Sequence, residues 1–138
     1  MILHAFTDGA SRGNPGESGF GIIVKDDHGS TILTLNGYIG RTTNNIAEYT
    51  ALLKLLERMR SVACSRIIVH SDSELMVKQL NGSYKVRNKD LKHYHAQFQE
   101  LKKSLPFDID IRHIGREENK DADRLANEAI DARTAPSA

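Results

Sequence analysis

Tryptophan is absent from this 138-residue chain, cysteine occurs once and proline three times. A lone Cys64 excludes an internal disulfide, and a reducing, intracellular setting is expected. With no second cysteine to join the histidines, no Cys/His cluster of zinc-site spacing exists. No apolar run approaches the ~20 residues a membrane-spanning helix needs, and "MILHAF" lacks a basic segment followed by a long apolar one. A cytoplasmic protein with no membrane partner is the expectation. Net charge is also missing: the formal value is +1, so whole-chain charge neither requires nor excludes a polyanionic partner.

The charge is nevertheless uneven. Lys78, Lys85, Arg87, Lys89 and Lys92 surround a single acid, Asp90, and Tyr84 lies among them. Such a run is either a solvated helix end and loop or a docking surface for phosphates.

Periodicity divides the chain into short elements. Ile2 to Thr7, Gly19 to Lys25 and Thr31 to Tyr38 read as strands, separated by a glycine-rich loop and by the turn "DDHGS". From Asn45 the period changes to helical, with Leu52, Leu55, Leu56 and Met59 on one stripe as far as about Arg60. "RIIVHS" is a fourth strand, and Glu74 to Leu80 a short helix closed by Asn81-Gly82. Leu91 to Leu105 is a helix stopped by Pro106, "FDIDIRHI" a fifth strand and Asp121 to Ala132 a last helix. The order β-β-β-α-β-α-α-β-α predicts an α/β layer structure in which three hairpin-linked antiparallel strands are followed by parallel strands joined through helices. One domain over residues 1–132 accounts for the chain, with 133–138 a disordered tail.

Four carboxylates stand where a purely structural role is costly. Asp8 and Asp72 each follow an apolar strand, at the edge where open α/β sheets bind ligands. Glu48 heads the apolar stripe Leu52, Leu55, Met59, so it should point at the sheet; as the third residue after an Asn45 cap it also fits a capping box. Asp123 opens the last helix, where a carboxylate suits the helix dipole. Each has an ordinary explanation, a turn or a cap. Together they would repel one another and raise their own pKa values unless cations intervened. All-oxygen ligation favours Mg²⁺ or Mn²⁺. Two such ions about 3.5–4 Å apart can activate water and stabilise the leaving oxygen of a phosphodiester.

The stretches "FTDGASRGNPG", "TTNNIAEYTALL", "VHSDSELMVKQL" and "HIGREENKDADRLANEA", in that order, resemble ribonuclease H type 1 over roughly Leu3 to Ala132. That resemblance implies a five-stranded mixed sheet with helices on both faces, and endonucleolytic hydrolysis, without sequence specificity, of the RNA strand of RNA–DNA hybrids using two Mg²⁺ ions, with Mn²⁺ as substitute. It puts the metal ligands on Asp8, Glu48, Asp72 and Asp123; Asp8 and Glu48 are expected to hold one ion, with Asp72 and Asp123 completing the pair and Asp8 bridging. His113 matches the family's mobile histidine, which assists proton transfer or product release. The resemblance further assigns substrate contacts to Gly9, Ser11, Asn14, Asn44 and Asn45, and a DNA-phosphate grip to Lys25, Thr43 and Asn88. Glu74 stands where many members carry a substrate-contacting glutamine. "NGSYKVRNKDL" is too short for the basic, tryptophan-bearing protrusion of some members, so double-stranded RNA and RNA–DNA junctions join the hybrid as expected substrates of a monomer. Because of Glu74 and the missing protrusion, a hybrid-binding module of little catalytic power is the alternative.

Overall fold

The computed structural model describes residues 1–134, arranged as five strands and four helices with two single 3₁₀ turns. Strands β1 (Ile2–Gly13), β2 (Gly16–Lys25) and β3 (Thr31–Thr42) form an antiparallel meander. Strands β4 (Arg66–Ser71) and β5 (Asp108–His113) lie parallel on the other side of β1, giving the order β3-β2-β1-β4-β5. The expected five-stranded mixed sheet is therefore present.

The glycine-rich stretch departs from expectation. It is not a loop: β1 runs six residues past Thr7, and only Asn14 and Pro15 separate it from β2. Beyond Asp8 the hairpin leaves the core, so its side chains need not alternate in polarity to be a strand. Main-chain pairing from Gly9↔Phe20 to Gly13↔Gly16 is sufficient.

Helix α1 (Asn44–Arg58) buries Leu52, Leu55, Leu56 and Tyr49 against Leu3, Ala5, Ile22, Val24, Ile67 and Val69. At roughly 1.5–3 kcal/mol for each fully buried large apolar side chain, this face is a main source of stability. The hydroxyl of buried Tyr49 donates to Gln79 Oε1 at 2.6 Å, tying α1 to α2 (Glu74–Leu80) and satisfying both polar groups. Helix α3 (Lys89–Ser104) adds Leu91, Phe98 and Leu101 to the same layer.

The opposite sheet face is covered by α4 (Lys120–Thr134). Gly19 and Gly21 of β2 allow it to sit unusually low: a Cβ on Gly21 would overlap the Ala122 carbonyl oxygen, and one on Gly19 would lie 2.6 Å from that of Ala126. Arg12 closes the arrangement with a 2.6 Å ion pair to Asp131, and Asn36 Nδ2 donates to Leu125 O at 2.8 Å. Helix α4 includes Arg133 and Thr134, two residues of the expected tail. Ala135 to Ala138 lie outside the described residues.

Candidate active site

The end of the parallel ladder creates the site. The last β1–β4 partners are Thr7 and Ser71, so Asp8, on β1, and Asp72, which follows β4, are the next residues along each chain, at the carboxyl edge of the sheet. Ser71 Oγ accepts from Ser73 N at 3.1 Å, turning the chain immediately after Asp72 into α2.

Glu48 arrives from α1. The helix is capped by Thr43, whose Oγ1 accepts from Ile46 N at 3.3 Å, and not by Asn45. Glu48 is therefore not the partner in a capping box. Its Oε1 instead accepts from Gly9 N on β1. That bond requires β1 and α1 to touch along their backbones, and glycine allows it: a Cβ at Gly9 would overlap the Ala47 carbonyl carbon and Glu48 N. The low seat of α4 brings Asp123 from the other face, since Gly21, directly opposite Asp8, packs on Ala122.

Asp8, Glu48 and Asp72 each present a carboxylate oxygen within 4.8 Å of the others. Asp8 and Glu48 are only 5% and 7% exposed. Burial pushes the Asp8 carboxyl well above the usual carboxylate range, reinforced by the charges of Glu48, Asp72 and Asp123. Burial likewise raises Glu48, with Asp72 adding to the effect and the Gly9 N–H opposing it. Without a cation these groups resist ionisation, and the three oxygens supply a hard, anionic set that fits a divalent ion. Asp123 lies outside this trio, lining the same cavity while its Oδ1 accepts from Asn127 Nδ2 at 3.2 Å.

The open cleft above the carboxylates has a volume of about 650 Å³. Gly9, Ser11, Asn44, Asn45 and Glu74 line it together with the four acids. Asn14 Oδ1 accepts from Asn44 N at 3.1 Å, binding the tip of the β1–β2 hairpin to the start of α1. Asn44 and Asn45 are free of capping duty and exposed. Glu74 sits at the start of α2, and its carboxylate pairs with Lys78 Nζ at 2.8 Å. That cation holds the Glu74 carboxyl below its ordinary range, with His113 helping.

Three expected substrate positions, Lys25, Thr43 and Asn88, are not among the residues lining the cleft. Lys25 pairs with His4, while Thr42, next to Thr43, pairs with Gly16 at the far end of β2. Nine residues at ~3.3 Å each separate the two ends by about 30 Å, so Lys25 and Thr43 do not grip one phosphate. Lys25 Nζ instead lies 5.5 Å from the centre of the Phe6 ring. Asn88 is occupied in capping α3, its Oδ1 accepting from Asp90 N and Leu91 N at 2.9 and 3.1 Å. His113 ends β5, exposed, outside the residues lining the cleft.

Sequence reasoning missed Arg116 and Lys120, which supply positive charge to the cleft wall, and also Asn127 and Asn119. An asparagine immediately before a helix that opens with aspartates is an N-cap signal, which gives Asn119 a sufficient local explanation and hides its other contacts.

An α/β sheet with clustered carboxylates at the carboxyl ends of its parallel strands defines a class of folds with an acidic site that could hold a divalent ion, and the comparisons with known proteins narrow it. The family profile described as reverse transcriptase-like matches residues 6–129. The ribonuclease HI of Halobacterium salinarum is 40% identical over 129 residues, 94% of this chain and 64% of the relative. The ribonuclease H of Methylococcus capsulatus is 34% identical over 143 residues, covering 94% and 89%. Among solved structures, LC11-RNase H1 in complex with RNA/DNA hybrid superposes with a TM-score of 0.92 at 39% identity, over 96% of this chain and 99% of that one. The chain belongs to the ribonuclease H family, in its type 1 branch. It spans only part of some relatives: 64% of the Halobacterium protein and 34% of mycobacterial proteins that are 40% identical to it.

Proposed function

We propose that the chain is an endonuclease that hydrolyses the RNA strand of RNA–DNA hybrids, using Mg²⁺ with Mn²⁺ as substitute. The observation that carries this reading is the convergence of Asp8, Glu48 and Asp72, two of them buried, in a cleft open to a polymer. It is supported by the similarity to a ribonuclease H1 bound to an RNA/DNA hybrid.

Asp8, Glu48 and Asp72 would hold the metal, with Asp123 beside them completing the site for a second ion. Bound there, such ions supply Lewis acidity to the attacking water and to the phosphodiester oxygens. The remaining work belongs to protein groups. Gly9 and Ser11 expose an extended backbone along which a minor groove with 2′-hydroxyls can lie. Asn44 and Asn45 offer carboxamides, without a side-chain partner among the described residues, to base edges and sugars, and the Asn14 contact keeps hairpin and helix at a set separation. Arg116 and Lys120 draw the phosphate backbone in. His113, exposed at the end of β5 and close enough to Glu74 to lower its carboxyl pKa, matches the family's mobile histidine, which supports a role in proton transfer or product release.

The Glu74–Lys78 pair removes the main reason to favour a non-catalytic hybrid binder, because the extra acid does not stand uncompensated at the cleft. Hybrids with end-labelled RNA, incubated with Mg²⁺, with Mn²⁺ and with chelator, test the reading. Internal RNA cuts are expected with either ion and none with chelator. Asp72→Asn should lower turnover at least 100-fold while far-UV circular dichroism is unchanged. A variant that cuts normally at ordinary Mg²⁺ would refute the metal-site assignment, and cutting confined to DNA–DNA duplexes would refute the substrate.

A further inference from the structure

Asn119 precedes α4 and occupies its N-cap position: Asp123 N donates to Asn119 O at 3.1 Å, the first bond of the helix. An asparagine there ordinarily turns its side-chain oxygen onto the first free N–H groups of its own helix. Asn119 does not. It is 2% exposed, and its Oδ1 has no hydrogen-bond partner among the described residues. Its Nδ2 points away from the helix and donates to Thr7 O at 2.9 Å and towards Asp72 Oδ2 at 3.4 Å.

Those two acceptors lie at the end of the β1–β4 ladder, one on each strand's chain. The parallel ladder ends at Thr7↔Ser71, so Asp8 and Asp72 lie just past its last paired residues and their carboxylates are not oriented by strand pairing. Asn119 spans that point, tying the residue before Asp8 to the carboxylate of Asp72. A buried group that leaves its own acceptor unpaired in order to make this bridge carries a cost that the helix does not recover.

We propose that Asn119 is a positioning residue, which holds Asp72 against the end of β1 so that its carboxylate faces Asp8 and Glu48 in a fixed orientation. The proposal rests on the reading of Asp72 as a metal ligand. Removing a group that orients a ligand typically weakens metal binding by roughly 10–100-fold.

Asn119→Ser separates this role from a structural one. Serine caps a helix as well as asparagine does but is too short to reach Asp72. Mn²⁺ binding is measured by electron paramagnetic resonance of the free ion, beside metal-free thermal unfolding, for the parent chain, Asn119→Ser, Asn119→Ala, Asp72→Asn and the Asn119→Ser/Asp72→Asn double variant. Asn119→Ser should keep a cooperative unfolding transition yet bind Mn²⁺ roughly 10–100-fold more weakly. In the double variant the serine should add nothing to the loss caused by Asp72→Asn, because the two act through one group. If Asp72→Asn weakens Mn²⁺ and Asn119→Ser does not, or if their effects multiply, the positioning role is overturned while the metal site stands. If Asp72→Asn itself binds Mn²⁺ like the parent, the metal assignment falls and this inference with it. Should Asn119→Ser not fold, with Asn119→Ala folded and binding Mn²⁺ normally, the bond to Thr7 would be structural and the proposal rejected.

Discussion

Asp8 and Glu48 are held at a cost to the fold, and the sign of that cost can be measured. In the unfolded chain they titrate near ~3.9 and ~4.3. Burial raises both in the folded protein, with the charges of Glu48 and Asp72 adding to it at Asp8 and that of Asp72 at Glu48. Between the unfolded and the raised folded values the native state binds more protons, so this pair destabilises the metal-free protein progressively as pH rises above about 4. Asp8→Asn should therefore unfold at a higher temperature than the parent at pH 7.5 in chelator, by roughly 3 °C or more for ~1 kcal/mol relieved. The gap should narrow at pH 4.5 and on adding Mg²⁺, which binds the parent better; equal melting curves at pH 7.5 would show that the carboxylates do not oppose folding. Why these acids occupy buried places was legible from Glu48 heading an apolar stripe and Asp8 and Asp72 ending strands. Which atoms they meet was not: the Glu48 bond to Gly9 N joins residues 39 apart in sequence.

Among the elements, α1 and α4 bring acids to β1 from opposite faces, and glycine sets both distances. Gly9 has no room for a Cβ against the Ala47 and Glu48 backbone. Gly9→Ala should push β1 and α1 apart, costing about 1–3 kcal/mol as an overpacked contact and lowering turnover more than stability alone explains, because Glu48 loses its N–H donor. Paired urea unfolding and cleavage assays on the variant check this; full activity in a folded variant would contradict the close-approach argument. Gly19 and Gly21 lie within a strand that the sequence predicts, but the reason for two glycines there needed α4, a hundred residues later, to pack on it. The β1–β2 hairpin departs from expectation for the opposite reason. Polar and glycine residues beyond Asp8 follow loop composition, yet cross-strand pairing holds them as strand.

Across the whole molecule, the short segment between α2 and α3 carries Lys85 and Arg87 exposed, with Tyr84 held against Lys78 by a 3.2 Å hydrogen bond and a ring contact at 4.9 Å. If this surface follows the hybrid backbone, a Lys85→Ala/Arg87→Ala variant should bind hybrid more weakly at low salt and show a shallower dependence of log affinity on log salt, by roughly one unit for each phosphate no longer neutralised. A variant with the parent's salt slope would show that this segment is not a docking surface. Local composition alone determined the order and type of the elements, the class of the fold and the four acids, since periodicity and strand-end carboxylates are properties of neighbouring residues. Tertiary structure decided the rest. It put Lys25 at the far end of β2 from Thr43 through strand register, and it turned Asn119 from a helix cap into a bridge between β1 and Asp72. Register and bridging arise only when chain segments distant in sequence meet, so no window along the chain contains the residues that determine them.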